Sequence, residues 1–341
     1  MNYRYIHTSL TRISNLENGN YEVMRLPRIH WETGDYVAAE IIDVGSDAKI
    51  ELTNGRMIEP LKGEKIIGAL GVRHATLEAT GTWKDIPESG ETHMLTGAGL
   101  IGTMTSHSVF SPFPIELKYL GHVKIRGRKV TMRQVVPTIE LKPLNIPVVL
   151  LVGTSMSAGK TTTARIVTRQ LKLMGKKVVA VKLSGAGRFR DILQVSDAGA
   201  DYIFDFVDAG LPSTICSPEE YVDAYHHMIS LMAHTDAEVA VVEIGASPLE
   251  PYNGDIAVHL LRNKIRSTIL CSSDPYAAFG VMKSFELAPH LISGPATNTL
   301  AGVELVKKLC GVQAYNLMDP ENLDVLHQIL QQHLFPEEGL L

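Results

Sequence analysis

The chain has 341 residues, of which 45% are hydrophobic and 20% are charged, and its formal net charge is −5. This composition is typical of a soluble globular protein with room for two cores, and the absence of a long basic run argues against nucleic-acid or membrane partners. The three cysteines are scattered, which indicates neither a disulfide framework nor a metal site. No apolar run reaches membrane-spanning length. We therefore expect a cytoplasmic protein.

Residues 1–142 form the first part of the chain and show the pattern of short strands. Asn54-Gly55 between two alternating segments is the strongest hairpin pattern among them. Frequent turns between short strands predict a β-rich domain, either a small barrel or a sandwich. The predicted strands cover residues 36–43, 49–53, 56–59, 65–70, 117–124 and 129–133.

A glycine motif at residues 97–102 fits the dinucleotide-binding pattern G-x-G-x-x-G letter for letter. That motif binds a dinucleotide only when a strand precedes it and a helix follows it. The sequence indicates no strand before it, and residues 103–114 are too rich in Ser, Thr and Pro for a helix. We interpret the motif as a flexible glycine loop.

The pattern changes after residues 141–147, which contain Pro143 and Pro147. From residue 146 to 341, near-continuous apolar strands alternate with helical segments. This alternation predicts an α/β domain with a mainly parallel sheet covered by helices on both faces. Ligands of such sheets bind at the carboxyl ends of the strands, so we expect the chemistry there. The predicted strands cover residues 148–152, 178–183, 238–243, 267–272 and 290–293. The predicted helices run from residue 160 to about residue 175, over residues 218–233 and over residues 320–333.

The first of these strands leads into the pattern of a phosphate-binding P-loop, with Gly-Lys-Thr opening a helix. In such a loop the backbone N–H groups face a polyphosphate, the lysine neutralises its charge, and the threonine hydroxyl ligates Mg²⁺. One position departs from the usual pattern, since Thr154 stands where a glycine is expected. The predicted nucleotide-binding residues are Gly153, Thr154, Ser155, Met156, Ser157, Ala158, Gly159, Lys160, Thr161 and Thr162.

Charged residues follow the later strands. Glu243 ends an apolar strand, where its carboxylate suits a Mg²⁺ ligand opposite Thr161. Lys182 ends another, where it can stabilise charge on a transferring phosphoryl group. Asp197 offers a further Mg²⁺ carboxylate. Arg188 and Arg190 can grip an anionic substrate, although an exposed basic loop explains them equally well.

Taken together, these motifs resemble the dethiobiotin synthetase-like P-loop proteins. The residues that resemble the family are Gly153-Thr154 with Gly159-Lys160-Thr161, Lys182-Leu-Ser-Gly185, Ser196-Asp197, and Val242-Glu243-x-Gly245-Ala246. The resemblance covers residues 146–300. A second group, the DUF1611-type P-loop proteins, is similar in the segment Leu270-Cys-Ser-Ser-Asp-Pro275. Leu183 and Ile244 depart from the first family's pattern, and residues 1–142 have no counterpart in it.

The resemblance implies that the chain uses ATP and Mg²⁺. It implies that Lys160 contacts phosphates and that Thr161, Asp197 and Glu243 hold Mg²⁺. It further implies that Lys182 serves the reacting carbamate or phosphoryl group, and Asn298 resembles the residue that contacts adenine.

Three functions fit these features. The first is a homo-oligomeric, ATP- and Mg²⁺-dependent enzyme that phosphorylates or ligates a small anionic metabolite, a carboxylate or carbamate. The second is a nucleotide switch that acts on a protein partner. Against a GTPase, the Asn-Lys-x-Asp pattern stops after Asn263-Lys264; against a partition ATPase, Ser155 replaces the early lysine. The third is an acyl transferase on the same fold, which the intact Gly159-Lys160-Thr161 disfavours.

Overall fold

The computed structural model describes residues 5–45, 48–111 and 113–336 and divides into two compact units. The first unit comprises Met1–Thr138 with two later segments, Ala186–Arg190 and Phe206–Cys216. The second comprises the three remaining parts of the chain, Ile139–Gly185, Asp191–Asp205 and Ser217–Leu341.

The first unit is built on a ten-stranded, mainly antiparallel sheet and a separate two-stranded hairpin, β4 with β5. Five strands of the large sheet pair in a closed ring, in the order β6, β3, β11, β9 and β10, with β10 pairing back to β6. Its described strands are β1 (Tyr5–His7), β2 (Glu22–Met24), β3 (Tyr36–Asp43), β4 (Ile50–Glu51), β5 (Met57–Ile58), β6 (Lys65–Leu70), β7 (Val72–His74), β8 (Ala79–Thr82), β9 (Glu91–Thr96), β10 (Leu100–His107), β11 (Glu116–Ile125) and β12 (Arg128–Lys129).

The core of this unit lies inside the ring of strands. It contains the inward-facing apolar residues of the closed strands together with Trp83 and Tyr119. The predicted Asn54-Gly55 hairpin is present, with β4 antiparallel to β5 and Gly55 at φ 80°. The β-rich first half is therefore confirmed.

The glycine motif at residues 97–102 begins in the turn between two strands, and its last three residues belong to the second strand. β9 ends at Thr96 and β10 begins at Leu100, so the expectation that no strand precedes the motif was wrong. The segment after the motif is a strand and not a helix, which leaves no dinucleotide-binding arrangement. Gly99 has φ 89°, and a Cβ there would overlap the Thr8 side chain, so the turn requires glycine.

Residues 129–133 were predicted as one strand, but only Lys129 of them belongs to β12. A four-residue helix, α1 (Met132–Val135), follows directly. Thr131 accepts from the backbone N–H of Gln134, and the Gln134 side chain accepts from the backbone N–H of Thr131. This capping box starts the helix and ends the strand.

The second unit contains a six-stranded sheet in which every pairing is parallel, in the order β15-β14-β16-β13-β17-β18. Helices flank the sheet, so the predicted parallel α/β architecture is confirmed. The strands are β13 (Val148–Gly153), β14 (Val178–Ser184), β15 (Tyr202–Asp205), β16 (Val239–Ile244), β17 (Ile265–Cys271) and β18 (Leu291–Ser293).

The helices of this half include four that the sequence analysis did not identify, namely α3, α5, α6 and α7. Helix α3 begins in the first unit and continues in the second. None of the described helices is long and apolar enough to cross a bilayer. The helices are α2 (Lys160–Leu173), α3 (Phe189–Asp197), α4 (Pro218–Ala233), α5 (Gly254–Leu261), α6 (Pro275–Ser284), α7 (Leu300–Cys310) and α8 (Leu323–Leu334).

Candidate functional site

A loop joins the central strand β13 to helix α2 in the geometry of a P-loop. The strand ends at Gly153, and the helix begins at Lys160 directly after Gly159, which has φ 90°. The backbone N–H of Thr154 donates to the Cys271 carbonyl at 3.0 Å, which ties the start of the loop to the neighbouring strand β17. The loop therefore turns at the carboxyl edge of the sheet, against the start of a 14-residue helix.

The Lys160 side chain folds back from the start of helix α2 over the end of strand β13. This side chain is buried, and its Nζ donates to the Ser155 carbonyl at 2.6 Å. A Cβ at Gly153 would lie 2.7 Å from both Nζ and Cδ of Lys160. Glycine at position 153 is thus what allows the lysine to cross the loop at this point.

Thr161 faces an acid from the adjacent strand β16. Its Oγ1 donates to Glu243 Oε2 at 3.2 Å, and Oε1 of the same carboxylate lies 3.5 Å away. Glu243 is in register with Leu151 of β13, two residues before that strand ends at Gly153. A hydroxyl and a carboxylate therefore meet beside the P-loop, which is the oxygen pair that Mg²⁺ prefers.

Lys182 lies on the other side of Glu243. The two residues are register partners on neighbouring parallel strands, and Asp205 is the partner of Lys182 on its far side. Lys182 is only 6% exposed, and its Nζ forms an ion pair with Asp191 of helix α3 at 2.5 Å. Acid and base thus alternate across the edge of the sheet.

The electrostatics of these groups follow from their burial. Burial raises the pKa of Glu243, although Lys182 and Lys160 oppose the shift. Burial lowers the pKa of Lys160, with Glu243 opposing. Burial would also lower the pKa of Lys182, but Asp191 and Glu243 outweigh it and raise that pKa. Removing these charges from water is costly unless a ligand compensates, which favours a site for a charged ligand.

One P-loop hydroxyl is buried without a partner. Ser155 is 6% exposed, and among the described residues its Oγ finds no hydrogen-bond partner. Buried polar atoms are normally hydrogen-bonded, so an orphan in a loop of this kind indicates a place for a ligand oxygen. The residues present fit a nucleotide's phosphates, with Lys160 as cation and the amides of α2 as donors.

The other predicted P-loop residues differ in their exposure to solvent. Ala158 is buried, Ser157 is exposed, and Met156 and Thr162 are half-buried. A Cβ at Gly294, after strand β18, would lie against the Ala158 carbonyl, so this later loop packs on the P-loop.

The remaining predicted residues lie in several places. Asp197 is exposed at the last residue of α3, and in the described part of the chain no hydrogen bond or ion pair joins it to Glu243 or Thr161. Asn298 is exposed just after a short 3-10 turn that follows β18. Arg188 and Arg190 are exposed and belong to the first unit. Their proposed roles as metal, adenine and substrate contacts stay predictions.

The sequence analysis missed three acids of this site. Asp191 pairs with Lys182, Asp205 lies in register with it, and Glu250 acts electrostatically on Lys160. Glu250 is 9% exposed and accepts the Ser247 backbone N–H at 2.7 Å. No local pattern marks these residues, because each reaches the site through the packing of its own segment.

The chain has some similarity to solved structures, at low sequence identity. No protein-family model matches the chain, and no curated protein sequence matches it either. The chain is similar to chloroplast FtsY from Physcomitrella patens, with 14% identity, a TM-score of 0.38, and coverage of 58% of this chain and 70% of that one.

Two further solved structures are similar over comparable lengths. For the signal recognition particle 54 kDa protein from Aeropyrum pernix in complex with GDP, the identity is 16% and the TM-score 0.36, over 58% of this chain and 53% of that one. For a DUF1611 family protein from Anabaena variabilis, the identity is 15% and the TM-score 0.37, over 57% of this chain and 61% of that one.

Proposed function

We propose that the chain is an ATP- and Mg²⁺-dependent enzyme that phosphorylates or ligates a small anionic metabolite, a carboxylate or carbamate. The observation that supports this most directly is the meeting of Thr161 and Glu243 beside the buried Lys160. A hydroxyl, a carboxylate and an ammonium group at a strand-to-helix turn are the groups that a magnesium–nucleotide site requires.

Each residue has a distinct task in this proposal. Lys160 and the amides at the start of α2 hold the phosphates, while Thr161 and Glu243 hold the metal ion. The bound nucleotide supplies the activated phosphoryl group. Lys182, at the end of the adjacent strand, stabilises negative charge on the reacting group, because its ammonium is buried and fixed in place.

In this proposal the second substrate is an anion, a carboxylate or a carbamate. Such an acceptor needs a cation near the transferred group, and Lys182 is the candidate for that cation. Arg188 and Arg190 are further candidates for contacts with this substrate. The motif order of the dethiobiotin synthetase-like proteins supports the same chemistry, because those enzymes activate a carbamate at a P-loop.

The test is a calorimetric titration with ATP and with GTP, each in the presence of Mg²⁺. Lys160→Ala removes a charge-assisted contact worth about 1.5–3 kcal/mol, so ATP affinity should fall tenfold or more. Arg165→Ala is the matched control, since Arg165 is an exposed cation on the same helix. Unchanged ATP affinity in folded Lys160→Ala protein would refute the nucleotide site.

Titration and turnover together separate the other two functions. ATP hydrolysis that no carboxylate or carbamate substrate stimulates would favour a nucleotide-switch ATPase over a metabolite enzyme. If neither nucleotide binds the wild-type protein while an acyl donor such as a thioester does, the fold serves acyl transfer instead. ATP binding at Lys160 with turnover that depends on a carboxylate substrate is the outcome expected here.

A further inference from the structure

Three charged residues lie side by side near the carboxyl edge of the parallel sheet. Asp205, Lys182 and Glu243 are successive register partners on strands β15, β14 and β16. Side chains at such positions project from the same face of neighbouring strands, about 5 Å apart at the backbone. Lys182 therefore stands directly beside the carboxylate that we assign to Mg²⁺.

That neighbour creates a conflict for Glu243. A lysine ammonium that pairs with a carboxylate competes with any metal ion for the same oxygens, because both are held there by the same negative charge. Lys182 and Glu243 attract one another: burial would lower the pKa of Lys182, but Asp191 and Glu243 raise it, and Lys182 opposes the burial that raises the pKa of Glu243. If Glu243 is to bind a metal ion, another interaction must hold the Lys182 ammonium away from the Glu243 carboxylate.

The Lys182 side chain follows a path that leads its ammonium group to another carboxylate. A Cβ added at Gly245 would lie 2.6 Å from Lys182 Cε, and one added at Gly185 would lie 3.3 Å from it. The lysine arm thus runs past two residues that have no side chain. Its Nζ ends at the carboxylate of Asp191, the third residue of helix α3.

We propose that Asp191 is a positioning residue that draws the Lys182 ammonium away from Glu243 and so keeps the Glu243 carboxylate available as a Mg²⁺ ligand. This inference rests on the proposed function, because it concerns the metal of the same site. Asp191 acts through Lys182 and need not touch nucleotide or substrate.

The test is a double-mutant cycle on Asp191 and Lys182. The quantity measured is the Mg²⁺ concentration that gives half-maximal binding of a non-hydrolysable ATP analogue. In Asp191→Asn the ammonium turns to Glu243, so the required Mg²⁺ concentration should rise about tenfold, the size of coupling usual for groups in contact. Lys182→Met removes the competitor and should leave this concentration unchanged or lower it.

The double variant Asp191→Asn with Lys182→Met decides the question. If Asp191 acts only by diverting Lys182, the double variant should need no more Mg²⁺ than Lys182→Met alone. A requirement as high as that of Asp191→Asn would overturn the inference and make Asp191 a direct metal ligand. Asp191→Glu, which keeps the charge, should bind Mg²⁺ nearly as wild type does.

Asp236→Asn serves as the control. Asp236 pairs with Lys177, which lies directly before β14, so this Asp–Lys pair is at the opposite end of the same strand. Asp236 and Lys177 are both exposed, and loss of this ion pair should not change the Mg²⁺ concentration required for binding. A rise as large as that of Asp191→Asn would show a general charge effect and overturn the inference.

A crystal structure of nucleotide-free Asp191→Asn gives a readout that does not depend on nucleotide binding. Lys182 Nζ within hydrogen-bonding distance of Glu243 would support the inference, and Nζ remaining away from Glu243 would overturn it. Failure of the wild-type protein to bind any nucleotide would instead refute the proposed function, which the crystal structure does not test.

Discussion

The two buried lysines of the site differ in their surroundings. Lys160 Nζ bonds a carbonyl of its own loop, whereas Lys182 Nζ is held by the carboxylate of Asp191. Burial lowers the pKa of Lys160, while the acids around Lys182 raise its pKa. A loop lysine of the first kind binds phosphate as soon as the nucleotide arrives. A fixed cation of the second kind is of most use where charge develops during the reaction.

The Lys182→Ala variant tests this division of roles. In the proposed function Lys160 and Thr161 bind the nucleotide, so ATP affinity should stay within a few fold of wild type. Turnover, or basal ATP hydrolysis, should fall by about 10²–10³, because the lost interaction belongs to the transition state. Calorimetry and a phosphate-release assay measure the two quantities. Parallel losses of affinity and turnover would assign Lys182 to nucleotide binding instead.

His290, in the second unit, gives that unit a pH dependence. Its Nδ1 accepts the Thr268 backbone N–H at 3.1 Å, and its ring lies against that of His333, with the centroids 4.1 Å apart and the ring planes tilted by 51°. Burial, with His333, lowers the His290 pKa below the usual 6.5. The unfolded chain therefore binds the proton more readily, so the stability from His290 is full above pH 6.5 and is lost as the pH falls toward the lowered value.

The variant His290→Asn should lose less stability on acidification than the wild-type protein does. Asparagine keeps an acceptor for Thr268 but does not titrate, so the drop in melting temperature between pH 7.5 and pH 5.5 should be smaller than in wild type. The comparison of two proteins is needed because burial also lowers the pKa values of His7, His93 and His227. Equal slopes for both proteins would show that His290 is not a source of the pH dependence.

At the scale of elements, two glycines of the second unit contrast sharply. A Cβ at Gly153 meets the flexible end of Lys160, so Gly153→Ala should displace that lysine while the fold holds. Gly280 lies inside helix α6 with nothing near its Cβ position. Gly280→Ala should therefore stabilise the protein by about 0.5–1 kcal/mol, the usual gain from replacing a helical glycine.

Thermal unfolding and ATP titration measure both variants. Gly153→Ala should lower ATP affinity about tenfold, the size of a lost charge-assisted contact, with little change in melting temperature. Gly280→Ala should raise the melting temperature and leave ATP affinity alone. A Gly153→Ala protein that binds ATP normally would show that the path of Lys160 over Gly153 is not needed for binding.

The sequence was sufficient to predict the helices and strands that are determined by residues within their own segment. Long apolar strands, the P-loop and helix α4, with Ser217 as cap and Pro218 after it, all carry their own patterns. Helix α3 does not, because its first two backbone N–H groups are capped by Glu51, at 2.8 Å and 2.7 Å, from 138 residues earlier in the chain. Helix α6 was predictable, since Asp274 caps it and Pro275 starts it. Asp191 was missed together with its helix.

At the scale of the whole molecule, the two compact units do not correspond to two continuous stretches of the chain. Every strand of the ten-stranded sheet precedes residue 130, and every strand of the six-stranded sheet follows residue 147. The first unit nevertheless takes in the segments Ala186–Arg190 and Phe206–Cys216. Within that unit Ser213 Oγ donates to the Val72 carbonyl at 2.7 Å, and Thr96 Oγ1 donates to the Gly187 carbonyl at 3.2 Å.

A fragment of residues 139–341 should therefore be incompletely folded even though it contains the entire six-stranded sheet. Phe206 and Leu211 are almost fully buried in the intact chain, and Asp208 forms an ion pair with Arg12 at 2.8 Å. The fragment lacks the residues of the first 138 that cover this segment, so its apolar side chains become exposed to water. We expect native-like helix content, strong binding of a hydrophobic dye, and rapid proteolysis within residues 206–216. The intact chain is the control, and a fragment that resists proteolysis in that segment as well as the intact chain does would show that the segment folds without the first unit.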